Sequence, residues 1–120
     1  VFPLPKQSGF RESFAFAGDL ADRGWSVLVF PEGARTKDGK LAAFRGGIGL
    51  LATRLRLPVV PMRIDGLWEL AQERLANPWT RLKAVRHGAV KVTLGQEVRF
   101  RAGTDAEEIA RELEKRVKEL

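Results

Sequence analysis

Residues 25–30 read Trp-Ser-Val-Leu-Val-Phe and lie between Gly24 and Pro31. This run is almost wholly apolar, is rich in β-formers and is too short for a helix of its own. It fits a strand buried on both faces. The residues before it have a different period. Within 11–23, Phe14, Ala17, Leu20 and Ala21 recur at helical spacing, and Gly24 is the stop signal. Gly18 weakens that helix slightly. A helix followed by a buried strand predicts an α/β arrangement with at least some parallel strands.

The rest of the chain continues the alternation. Residues 46–56 place Ile48, Leu51, Ala52 and Leu55 on one helical side, and residues 57–64 (Leu-Pro-Val-Val-Pro-Met-Arg-Ile) form a second apolar strand candidate. Its two prolines imply an edge, a bulge or a strand that starts and stops around them. Residues 67–75 read as a short helix, broken at Asn77-Pro78. Residues 89–94 and 97–101 alternate in polarity and suggest two strands tightly connected through Gly95-Gln96. The clearest helix covers 104–120. Thr104 and Glu107 have the spacing of a capping box, and Ile109, Leu113, Val117 and Leu120 form one apolar stripe. No repeat, low-complexity segment or linker interrupts the chain. Its 120 residues suit one domain or part of one. Because it begins at Val1 with no signal segment, it is expected to be a piece of a longer polypeptide.

Composition removes several chemistries. There is no cysteine, which excludes disulfides, thiolate metal sites and thiol catalysis, and one histidine cannot build a multi-His metal site. No metal and no cofactor is expected. No apolar run approaches the roughly 18–20 residues of a membrane-spanning helix. The net charge of +6 is local. From Arg35 to Arg63 there are seven basic residues (Arg35, Lys37, Lys40, Arg45, Arg54, Arg56, Arg63) against one acid, Asp38. Such a cluster beside glycines suits an anionic partner such as a phosphate ester or an acidic membrane surface. Nucleic acid is not expected, because Phe44 is isolated and no interleaved aromatics are present for stacking.

Phe30-Pro31-Glu32-Gly33-Ala34-Arg35 follows the first strand directly. In α/β folds ligands gather at the carboxyl ends of strands. Arg35 has the fork that suits phosphate, and Gly33 allows backbone N–H groups to approach an anion. Glu32 would orient Arg35 or accept a hydrogen bond from a substrate hydroxyl. A surface ion pair at a turn is the plainer alternative. Phe44-Arg45-Gly46-Gly47-Ile48-Gly49 then opens a helix, whose N-terminus favours anions.

The order of these segments resembles the glycerolipid acyltransferase superfamily, of the 1-acyl-glycerol-3-phosphate acyltransferase type. Residues 30–35 look like its FPEGTR block, Phe44-Arg45-Gly46-Gly47 like its F-K/R-x-G element, and Pro58-Val59-Val60-Pro61 like its VPVVP block. The resemblance runs from about Phe2 to Phe100. It implies an α/β fold with a mixed, mostly parallel sheet flanked by helices, incomplete at the N-terminal side, and residues 1–120 as the C-terminal portion of one acyltransferase domain. It implies transfer of a fatty acyl group from acyl-CoA or acyl-carrier protein to the hydroxyl of a lysophospholipid. Glu32, Gly33 and Arg35 would hold the acceptor and its phosphate, Phe30, Pro31, Lys37 and Arg45 would be further substrate-binding residues, and Pro58, Val59, Val60 and Pro61 would shape the apolar part of the site. A looser match at Phe2–Lys6 makes Lys6 or Arg11 further phosphate contacts. The implied location is cytoplasmic, peripheral at the inner face of a membrane, and in some family members the domain is fused to an acyl-activating enzyme.

Two departures stand out. Ala34 replaces the family's Thr, which removes a hydroxyl but no charge. The family's general base is the His of an H-x4-D motif, oriented by its Asp. Here the one histidine, His87, is followed five residues on by Val92. No catalytic residue is therefore assigned to this chain, which alone is expected to be inactive. The competing expectation is a non-catalytic module for anionic lipid or phosphate. Trp25 is expected in the core, and Trp68 and Trp79 either there or against lipid or another part of the protein. The helix at 104–120 is expected to pack on the sheet, Arg54 and Arg56 to form a solvated face, and His87 to lie in a loop. Apolar surface left uncovered would favour self-association.

Overall fold

The computed structural model describes residues 10–76 and 90–120, with the backbone alone for Phe10 and residues 73–76. Six elements follow in order: α1 (Phe10–Asp22), α2 (Gly47–Leu55), β1 (Met62–Asp65), α3 (Leu67–Ala76), β2 (Lys91–Leu94) and α4 (Ala106–Lys118). The expected Phe2–Lys6 block, Trp79 and His87 lie outside the described residues.

The helices form where the spacing predicts them. In α1, Ser13 and Ala17 are buried. Gly24 stops it in the left-handed conformation (φ 80°). The Gly24 N–H reaches Ala21 O at 2.9 Å and the Trp25 N–H reaches Leu20 O at 3.0 Å, the paired bonds of a Schellman motif. In α4 the cap moves by one residue. Asp105, not Thr104, caps the helix, and its carboxylate accepts from the N–H groups of Glu107 and Glu108, both at 3.0 Å. A carboxylate at that position satisfies two orphan N–H groups and meets the positive end of the helix dipole. The Thr104 hydroxyl instead donates to Arg101 O at 2.9 Å.

The core lies between α2 and α4. Ile109 is fully buried, with Leu113 and Ala52, and Phe44, Ile48, Val59 and Phe100 pack around them. Gly49 of α2 and Gly46 at its N-cap allow the close approach. A Cβ on Gly49 would overlap the Ala106 carbonyl, and one on Gly46 would strike the Glu107 carboxylate. These glycines therefore serve helix packing, and a protein carboxylate already lies beside the first turn of α2.

The sheet departs from expectation. Among the described residues it has two strands, β1 and β2, paired antiparallel with Met62 opposite Leu94 and Asp65 opposite Lys91. Val59 and Val98 form a further antiparallel bridge. The segments 89–94 and 97–101 thus do not pair with each other. Both run along residues 59–65. Three residues separate Leu94 from Val98 but two separate Val59 from Met62, so one extra residue is absorbed near Gly95, as in a β-bulge. Pro61 breaks the strand as its missing N–H requires, while its carbonyl accepts from the Gly95 N–H at 2.8 Å.

The parallel strand expected at 25–30 is absent. Those residues form no strand, and Ser26–Val29 make no backbone hydrogen bond with the described residues. Trp25, Leu28 and Phe30 are 67%, 64% and 62% exposed, so Trp25 is not a core residue. Apolar β-formers favour a covered strand, but backbone pairing needs a neighbour, and none of the described residues supplies one. The described residues therefore form a mixture of helices with a small antiparallel sheet.

Candidate functional site

Residues 31–45 form one basic loop that joins the core at Phe44. Two contacts close its neck. The Arg45 N–H donates to Pro31 O at 3.0 Å. The Arg45 side chain also lies over Gly33, where a Cβ would come 2.8 Å from its Nε. Gly33 has φ 71°, so glycine is favoured there on conformational grounds. Farther out, Glu32 reaches across the loop and its Oε2 accepts from the Ala42 N–H at 2.8 Å.

The tip is organised by Asp38. Its Oδ1 accepts from the Lys40 N–H at 3.1 Å and from the Thr36 hydroxyl at 3.2 Å. This local pattern favours a turn over helix or strand. The Lys40 N–H, with help from the Thr36 hydroxyl, holds the Asp38 carboxyl below its ordinary value. At the inner end, Glu114 of α4 accepts from the Phe44 N–H at 3.0 Å and from Lys118. Those two bonds, the lysine's first, lower the Glu114 pKa.

Arg35, Lys37, Lys40 and Arg45 are all exposed. Among the described residues none of them belongs to an ion pair, since the pairs lie at Arg63–Asp65, Arg99–Glu97 and along α4. Glu32 in particular bonds the Ala42 amide and does not pair with Arg35. Three residues of separation around a glycine at φ 71° is not helical spacing, so the two charges are not brought face to face. The loop therefore presents four exposed cations, with Glu32 bonded to the Ala42 amide and Asp38 to the Lys40 N–H and the Thr36 hydroxyl, which is chemistry suited to a phosphate ester.

The remaining expected site residues lie outside the loop in sequence. Phe30 is exposed ahead of its neck. Val59 packs against the same core as Phe44, Pro61 is buried, Pro58 is half-buried and Val60 is half-exposed. Arg54 and Arg56 are exposed, as expected. The sequence did not disclose the partners of the loop: the Ala42 amide, Glu114 and the indole of Trp68, which lies against Gly39. The one local signal in the residues themselves is Lys37-Asp38-Gly39, a turn pattern. The others are contacts across ten residues or more. Among the described residues no group of His, Cys, Asp or Glu could hold a metal, and no helix is long and apolar enough to cross a membrane.

Comparisons with known proteins bear on this loop. The family model described as Acyltransferase matches residues 6–65. A chloroplastic 1-acyl-sn-glycerol-3-phosphate acyltransferase of Brassica napus is 32% identical over 80 residues, covering 67% of this chain and 22% of the relative. The chloroplastic enzyme LPAT1 of Arabidopsis thaliana, of the same name, is 29% identical over 101 residues, covering 84% and 26%. A 1-acyl-sn-glycerol-3-phosphate acyltransferase of Cocos nucifera is 46% identical over 47 residues, covering 39% and 15%. The chain thus spans about a quarter or less of the curated relatives it matches. No solved structure matches it. The family match covers half of the chain and takes in residues 30–35, 44–47 and 58–61, with the whole basic loop between them, so this chain belongs to the Acyltransferase family.

Proposed function

We propose that this chain is the acceptor-binding part of an acyltransferase domain that moves a fatty acyl group from acyl-CoA or acyl-carrier protein to a hydroxyl of a lysophospholipid. The observation that carries this reading is the loop 31–45, which lies within the family match and holds four exposed cations on a self-closed frame. In this reading Arg35, Lys37, Lys40 and Arg45 bind the acceptor's phosphate. Pro58–Pro61 and the exposed Phe30 border the acyl region.

The acceptor oxygen then attacks the thioester carbonyl, the new C–O bond forms as the C–S bond breaks, and the thiolate departs. The attacking hydroxyl gives its proton to a base, which returns it to the leaving sulfur. The chain contains no H-x4-D motif, so the base belongs to residues outside this sequence. The loop's own contribution is binding and orientation, which convert a bimolecular encounter into a positioned one. No metal or cofactor takes part, the donor thioester being a co-substrate. The proposed location is the cytoplasmic, inner face of a membrane, held peripherally.

The test is acyl transfer to lysophosphatidic acid from labelled acyl-CoA. It would be run with this chain and with a polypeptide extended upstream through any H-x4-D motif. Activity in the longer chain alone supports the reading. Inactivity of both, with folding verified, removes it and leaves a phosphate- or anionic-lipid-binding module. In the active polypeptide, Arg35→Ala is expected to raise the KM for the acceptor by about tenfold to a hundredfold, as for loss of a charge-assisted contact of roughly 1.5–3 kcal/mol. An unchanged acceptor KM would remove Arg35 from the site.

A further inference from the structure

We propose that Trp68 positions the basic loop: its indole sits on the loop tip and holds Lys37 and Lys40 in place for a phosphate ester. Trp68 is in the first turn of α3, directly after β1 and Gly66, and lies beyond the residues matched to the family. A methyl group added to Gly39 would lie 2.7 Å from Trp68 Cδ1, 3.0 Å from Cγ and 3.1 Å from Nε1. The pyrrole side of the indole therefore rests on the Gly39 Cα, between the two lysines of the turn. Gly39 also has φ 80°, so this residue must be both left-handed and bare.

The seat completes a three-point clasp. The neck is closed by Pro31, Gly33 and Arg45, the middle by Glu32 and the Ala42 amide, and the tip by Asp38 and Trp68. Without the indole, the tip is held only by exposed hydrogen bonds between near neighbours, which water replaces at little cost. An unanchored loop must be ordered when it binds, and that cost falls on affinity. A half-buried tryptophan on a glycine is a rigid anchor with large contact area. Trp68 is thus a positioning residue. It acts through the loop and is not assigned a contact with the substrate.

The acceptor chemistry rests on the preceding functional reading, whereas the clasp stands separately. The test compares wild type with Trp68→Ala, Trp68→Phe and Gly39→Ala, each checked for folding by circular dichroism. Hydrogen exchange is followed at the Lys40 and Ala42 amides, with the Ile109 and Leu113 amides as core controls. Binding is measured to phosphatidylcholine vesicles with and without lysophosphatidic acid, and to glycerol 3-phosphate in solution, which separates a lipid headgroup from a free phosphate ester.

Trp68→Ala and Gly39→Ala are expected to speed exchange at Lys40 and Ala42 while the core amides stay unchanged. Both should weaken phosphate-ester binding about tenfold, and Trp68→Phe should restore most of it. Unchanged loop exchange in both Trp68→Ala and Gly39→Ala would overturn the clasp. Faster exchange with unchanged binding would overturn the positioning role. Wild-type chain that binds neither probe would count against the acceptor-site reading and against a positioning role for phosphate, with the clasp itself still decided by the exchange data.

Discussion

The α2–α4 contact and the segment 25–30 are made from similar residues, yet they end in opposite states. Ile109 and Leu113 are buried against Ala52, with Phe44, Ile48, Val59 and Phe100 around them. Trp25, Leu28 and Phe30 are mostly exposed, in a segment that joins no strand among the described residues. The β1–β2 sheet repeats the contrast within itself. Its apolar face carries Val92 and Leu94, 54% and 66% exposed, whereas Thr93 on the opposite face has a buried hydroxyl oxygen without a partner. A helix satisfies its backbone internally and needs only one apolar neighbour. A strand needs neighbours at its edges as well as on its faces. Each helix of the pair therefore needs only the other's apolar face to be complete, whereas the strands lack neighbours among the described residues.

The largest expected effect breaks the closed half. Ile109→Ala removes a fully buried side chain and should cost about 2–5 kcal/mol in denaturant unfolding. A loss below about 1 kcal/mol would mean that α2 and α4 are not the stabilising core. Gly49→Ala comes next. Its Cβ would meet the Ala106 carbonyl, backbone that cannot swing aside, so α2 and α4 must separate. We expect a net loss of up to about 2 kcal/mol, overpacking of about 1–3 kcal/mol opposing a gain of about 1 kcal/mol in helix propensity. Stabilisation by Gly49→Ala would show that the close approach of the two helices is wrong.

The open half should respond differently. Leu28→Ser, Phe30→Ser and Leu94→Ser are each expected to change stability by no more than about 0.5 kcal/mol, because exposed side chains lose little transfer energy. Together they should reduce self-association in sedimentation velocity, since large exposed apolar patches and free strand edges drive it. Loss of stability comparable to Ile109→Ala would show that these residues are buried after all, and the comparison would collapse.

What was legible in the sequence follows the same division. Helical periodicity located α1, α2 and α4 to within a residue or two, because amphipathic stripes are local signals. The left-handed Gly24 stop was legible for the same reason. Strand partners were not. The alternation in 89–94 and 97–101 announced strands, but their pairing with residues 59–65 is set by contacts more than 25 residues away. At the site, the glycines and cations of 30–47 were identified as residue types, while their roles changed. Gly46 and Gly49 serve helix packing, and Glu32 bonds a backbone amide ten residues on. Side-chain-to-backbone bonds across a loop leave no period to detect.

The smallest expected effect separates the loop tip from the core by pH. The Lys40 N–H and the Thr36 hydroxyl bond the charged form of Asp38, so its folded pKa lies below the ordinary 3.8. Their contribution is present above 3.8 and is lost as pH falls through the folded value. Glu114 behaves in the same sense from its ordinary 4.5, through Lys118 and the Phe44 N–H. Hydrogen exchange, corrected for intrinsic rates, should therefore show constant protection of the Lys40 amide from neutral pH down to the ordinary carboxylate range. Protection should then fall at more acid pH, while the Ile109 amide stays protected. Asp38→Asn keeps an acceptor for the Lys40 N–H and removes the titration, so its tip protection should not change with acid. If wild type and Asp38→Asn lost protection together with Ile109, the transition would be global unfolding, and the tip would have no acid response of its own.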